Sequence, residues 1–141
     1  MDSSILIAII SASASIFVAS FTFYFTKRYQ TNSEWKKEKL DHYKKLLISL
    51  SDLAVDGKNK EKANQNFSEF SNTICLVASQ DVIHKLMILH DAIKQPTEKR
   101  NFESEAKLIN HLMVAMRKDI GLTKKDNIEE FNFHLIGKKQ N

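Results

Sequence analysis

Two hydrophobic patterns divide the chain. From Ser3 to Thr26 there are 24 uncharged residues in succession. After Lys27 the apolar residues recur at three and four, with charged residues between them. As a helix the first stretch would span roughly 36 Å at about 1.5 Å per residue, enough to cross a hydrocarbon core of about 30 Å with some tilt. A secretory leader opens on a basic region and a shorter apolar run; this chain opens Met1-Asp2, so an uncleaved span is expected. Within it Ala8, Ala12, Ser15 and Ala19 recur at spacings of four, three and four, with Ser11, Val18 and Thr22 beside them. Ile5, Ile9, Ile16, Phe17, Phe21 and Phe25 cover much of the remaining surface. Helices in lipid pack through small residues that let backbones approach, so this stripe reads as a self-association face. In a ring of such helices Ser11 and Thr22 would be candidates for a polar lumen. A monomeric anchor, its serines bonded to their own i−4 carbonyls, fits the same residues.

Beyond the span, four amphipathic segments follow. SEWKKEKLDHYKKLLISLSDLAVDG offers Ser33 as an N-cap, repeats Leu40, Tyr43, Leu47, Leu50 and Ala54, and ends at Asp56-Gly57. The second, from about Lys60 to Ala78, places Ala63, Phe67, Phe70, Ile74 and Val77 on one face. Ser79 caps a third, with Ile83, Leu86, His90 and Ile93 in a stripe flanked by Val82 and Leu89, and Pro96 closes it. After the loop PTEKRN, Phe102, Ala106, Ile109, Met113, Met116 and Ile120 form a seam ending at Gly121. The tail fits a helix through Ile128, Phe131 and Leu135, or a strand through Phe131, Phe133 and Leu135. A short helix or turn near Thr123 to Glu130, then a docked segment, is expected.

Composition agrees with an all-helical chain, since only three glycines and one proline interrupt it. The fold expected is all-α: a single N-terminal transmembrane helix (1–26), a basic juxtamembrane segment (27–32), and a small cytoplasmic bundle of about four helices (33–141). Lys27 and Arg28 end the span, and from Lys27 to Lys45 seven basic residues face three acidic ones. The positive-inside rule then puts the amino terminus outside and the domain on the cytoplasmic side of the membrane. Tyr24, Lys27, Arg28, Tyr29 and Trp35 are the membrane-interface candidates. The net charge of +4 comes from basic residues interleaved with acidic ones. No DNA partner is therefore expected.

Chemistry finds little support. His42, His84, His90, His111 and His134 match no metal-ligand spacing, and Asp81 with His84 or His90 with Asp91 are pairings that arise freely on helices. Gly57, Gly121 and Gly137 are isolated, which excludes a phosphate-cradling loop. Cys75 lies among apolar neighbours in TICLVAS and reads as a buried packing thiol. No histidine follows Arg28, Arg100 or Arg117 by four to six residues, so a helical ribonuclease dyad is missing. No enzyme activity, metal or cofactor is expected. Arg117, Lys118, Lys124 and Lys125 bracket the Gly121 turn and could hold a nucleotide or phosphate at a helix starting near Thr123, or simply complement the end of the preceding helix.

The order of an N-terminal span, FTKRYQ, the charged helix SEWKKEKLDHYKKLLISL and a small helical domain with AMRKDIGL resembles, in layout, small membrane-anchored helical proteins of bacterial defence loci. It is similar to the accessory pore-forming membrane protein of type VI-B CRISPR systems, and by layout to the cyclic-oligoadenylate-gated membrane proteins of type III systems. The missing Arg–His dyad departs from the former. The resemblance implies a homo-oligomer that permeabilises the membrane during phage infection, with a defence-system protein or a nucleotide signal as partner.

Overall fold

A computed structural model describes residues 2–54, 59–122 and 125–135. It is all-helical: α1 (Ser3–Ala54), α2 (Lys60–Ile74), α3 (Gln80–Ile93), a 3₁₀ turn (Thr97–Lys99) and α4 (Phe102–Asp119), with no strand among the described residues. Two compact units result, Met1–Lys37 and Glu38–Asn141.

The first unit is helix alone. Ser33 is not an N-cap, because α1 runs through it unbroken. KRYQTN, between the apolar stretch and Ser33, holds no glycine or proline to end a helix. Thr31 donates its hydroxyl to the Lys27 carbonyl at 3.0 Å, one turn back, instead of capping. Four helices therefore stand where a span plus a four-helix bundle was expected.

In the second unit the later part of α1 packs with α2, α3 and α4. Tyr43, Leu46 and Leu50 of α1 meet Phe67 and Ile74 of α2, Val82, Leu86 and Leu89 of α3, and Leu112, Ala115, Met116 and Ile120 of α4. Three faces are turned from the expected ones. On α1 Leu46 is fully buried and Ala54 is exposed. On α3 the aliphatic Val82, Leu86 and Leu89 point inward, which leaves His90 half-buried with its ring stacked 6.0 Å from that of Phe67. On α4 Leu112 and Ala115 take the centre, while Ile109 and Met113 flank it and Phe102 is exposed. In the first turn of α4 Glu105 is also turned in, and Arg100 meets it through two 2.7 Å bonds.

Helix ends follow local chemistry. Asn59 and Asn101 cap α2 and α4, their side-chain oxygens accepting from the Lys62 amide and from the Glu103 and Ser104 amides. The α2 helix stops at Ile74, short of Ala78, as the Cys75 thiol and Thr73 hydroxyl bond to the Ser71 and Phe70 carbonyls. Cys75 is consequently exposed at the C-cap and is not the buried thiol expected. Gly121, at φ 73°, closes α4: its amide bonds to Lys118 O and the Leu122 amide to Arg117 O, a pairing that needs a left-handed residue between. In the described tail there is a turn rather than a helix, with the Glu130 and Phe131 amides on the Asn127 carbonyl. The docked segment is present, for the Phe133 amide bonds to Asn110 Oδ1 at 2.9 Å and Leu135 packs on the core. The expected stop at Asp56-Gly57 and the start near Thr123 lie outside the described residues.

Candidate functional site

The largest unexplained feature of the surface is the first part of α1. Ile5, Phe17 and Phe23 are 51%, 66% and 71% exposed, and none of the apolar window is buried within the chain. Soluble monomers rarely show a contiguous apolar surface of this extent. Among the described residues α1 is the one helix long and apolar enough to cross a membrane.

Helical geometry, about 100° per residue, sorts its side chains. Ser4, Ala8, Ser11, Ala12, Ser15, Ala19, Thr22 and Thr26 fall within a single sector of about 100°, and no larger residue between Ser3 and Thr26 enters it. The association candidates and both lumen candidates thus share one face. Leu6, Ser13, Phe17 and Tyr24 lie roughly opposite, while Ile9, Ile16, Phe21 and Phe25 fill much of the rest. The hydroxyls of Ser13, Ser15 and Ser20 donate to the Ile9, Ser11 and Ile16 carbonyls, each at 2.8 Å. Of these three Ser15 lies on the small face, where a hydroxyl turned back to its own helix leaves room for close approach. At the end of the apolar run Tyr24, Lys27, Arg28, Tyr29 and Trp35 are all exposed.

The basic cluster is differently arranged from the expectation. Arg117 is committed within the chain: its Nε donates to Asp126 Oδ2 at 2.7 Å and its guanidinium lies 5.7 Å from the Phe131 ring centre. It ties the tail to α4. Lys118 and Lys125 are exposed, Lys125 has a partner of its own, and Lys124 lies outside the described residues. No helix begins within residues 125–135, so these residues do not supply a helix N-terminus for an anion.

Sequence reasoning missed a polar knot around Asp119. Both of its oxygens accept from Lys39 Nζ at 3.2 and 3.1 Å, and Oδ2 also takes the Tyr43 hydroxyl and, at 3.3 Å, the Ser79 amide. Ser79 thus serves α3 through its backbone, without a side-chain cap. Burial alone would push the Asp119 carboxyl up, but these donors outweigh it and hold the group below the usual carboxylate value. Burial, and then the bond to Asp119, push the Tyr43 phenol well above its ordinary value. A signal was available, because an acid in the last turn of a helix opposes the macrodipole and needs a cationic or hydrogen-bonding partner. With every donor committed the knot is a latch joining α1, α3 and α4.

The histidines gather little more. Asp81 is taken by Lys85, and His90 Nδ1 lies 3.8 Å from Asp91. His84 and His111 line one groove with Lys85, Ile88 and Leu108. Among the described residues no group of three histidine, cysteine or acidic side chains could hold a metal ion. No family model, no curated protein and no solved structure matches the chain.

Proposed function

We propose that the protein is a single-pass inner-membrane protein whose first helix spans the bilayer and assembles into a homo-oligomer through Ala8, Ala12, Ser15 and Ala19. Its helical domain then lies on the cytoplasmic side, and the assembly acts without catalysis by permeabilising the membrane. One observation carries the reading: a 24-residue uncharged stretch is helical, exposed on every face, and keeps one complete face free of large side chains. Exposed isoleucine and phenylalanine favour lipid, whereas the small face favours a second helix. Tyr24, Lys27, Arg28, Tyr29 and Trp35 supply the rings and cations of an interface with anionic lipid. The layout shared with membrane-anchored proteins of defence loci makes antiphage defence the setting. A nucleotide-sensing role through Arg117 is less well supported, because its guanidinium is already held by Asp126 and Phe131.

Cross-linking and mass measurement in detergent test the assembly, and dye release from anionic vesicles tests permeabilisation. The wild type should form a discrete oligomer and release dye; Ala12→Leu with Ser15→Leu should give monomers that do not. A wild-type monomer in detergent, or recovery with the cytosol after cell breakage, would refute the reading. An oligomer that releases no dye would retain the assembly and remove the pore.

A further inference from the structure

Where the apolar run of α1 ends, the helix carries a second distinct face. Phe25, Arg28, Tyr29, Asn32 and Trp35 line one open hollow there. Their spacing gathers them within a sector of about 120°, centred about 110° round the helix from the small face. The three rings are each more than half exposed. Among the described residues the Arg28 guanidinium, the Tyr29 hydroxyl and the Asn32 side-chain amide have no hydrogen-bonding or acidic partner. Glu34, the acid nearest to Arg28 along the chain, falls outside the sector. On the bilayer side the same face continues through Phe21, whose ring stacks on that of Phe25 with centroids 6.3 Å apart. An aromatic track thus runs into a hollow with an unpaired cation and two further donors.

We infer that this face seats one anionic glycerophospholipid, its phosphodiester at Arg28, Tyr29 and Asn32 and an acyl chain along Phe21 and Phe25. The inference rests on the membrane reading above and gives that interface a particular ligand. Depth agrees with it, since Arg28 lies about 4.5 Å along the helix axis from Phe25, within the headgroup layer that flanks the hydrocarbon core. A planar guanidinium with neutral donors beside it matches phosphate oxygens more closely than a lone ammonium does. Lys27 offers such an ammonium at nearly the same depth, but about 100° round the helix and outside the hollow. A zwitterionic headgroup would bring its own cation beside Arg28, and inorganic phosphate would leave the phenylalanines uncovered. A second copy packed on the small face leaves this face open to lipid.

Trp35 is the one tryptophan of the chain, so its fluorescence reports on the hollow directly. The full chain in micelles of an uncharged detergent, titrated with phosphatidylglycerol, phosphatidylcholine of the same chain length or inorganic phosphate, tests the inference. Phosphatidylglycerol should shift the emission saturably, and the other two should act about tenfold more weakly. Arg28→Gln should weaken the phosphatidylglycerol response about tenfold and Asn32→Ala severalfold, whereas Lys27→Gln, which removes the same charge, should weaken it less than about threefold. Equal responses to the two lipids, a phosphate response matching phosphatidylglycerol, no saturation, or equal losses in Arg28→Gln and Lys27→Gln would overturn the site and leave the span standing. Recovery of the chain with the cytosol, without detergent, would overturn both.

Discussion

Along α1 the residues before Glu38 and those after it share one secondary structure and differ in burial. Residues 3–37 are exposed on every side, isoleucine and phenylalanine included, whereas Tyr43, Leu46, Ser49 and Leu50 are buried. The earlier part is also the more apolar, so hydrophobicity does not decide which residues a chain buries within itself. What decides is whether amphipathic partners exist. The later part meets faces of α2, α3 and α4 whose spacing matches its own, while residues 3–37 are buried by none of the described residues, which is the exposure the proposed contacts with lipid and a second helix rest on.

Substitutions at five positions probe that contrast, beginning with the largest effect. Leu86→Ala, in the fully buried centre of α3, should destabilise the domain by about 2–5 kcal/mol in denaturant unfolding. Phe17→Ala, in the exposed part of α1, should change the same measurement by less than about 0.5 kcal/mol. Equal losses would mean that the two parts of α1 belong to one core.

Asp119→Ala should cost about 1–3 kcal/mol, because it leaves the Tyr43 hydroxyl and the Ser79 amide without their acceptor. The sign with pH follows from the lowered carboxyl. Its contribution is fully present above the ordinary value of 3.8 and disappears as pH falls through the lower folded value. The stability gap between wild type and Asp119→Asn should therefore close in acid, and a gap that widens there would refute the latch.

Tyr43→Phe should lose about 1 kcal/mol at neutral pH. Because the folded phenol titrates above its ordinary 10.0, the wild type should lose stability as pH rises past that value. The phenylalanine variant should lack that component, visible as converging unfolding midpoints in alkali. Gly121→Ala should cost about 1 kcal/mol, since alanine resists the left-handed turn that closes α4. An unchanged midpoint would show that the turn does not need glycine.

Much of this architecture was legible in the residues themselves. The uncharged run, the apolar spacing of three and four, and Gly121 after α4 fix helices and ends because each acts within a turn of chain. Even there, Ser33 misled: a serine followed by charged residues resembles a cap, but capping requires a helix to begin, and nothing before Ser33 stops one.

Tertiary structure decided what local spacing leaves free. Which side of α3 and α4 turns inward depended on neighbours, so Val82 with Leu89 and Leu112 with Ala115 displaced the expected stripes. Asp119 acquired its role from Lys39 and Tyr43, 80 and 76 residues away in the chain, and a cavity beside Lys60 exists only where four helices converge. The sequence by itself determined that the chain is helical and carries one stretch apolar enough for a membrane, because backbone and hydropathic preferences act over a few residues. Only packing determined which polar groups meet and where space remains, because those depend on contacts between segments distant along the chain.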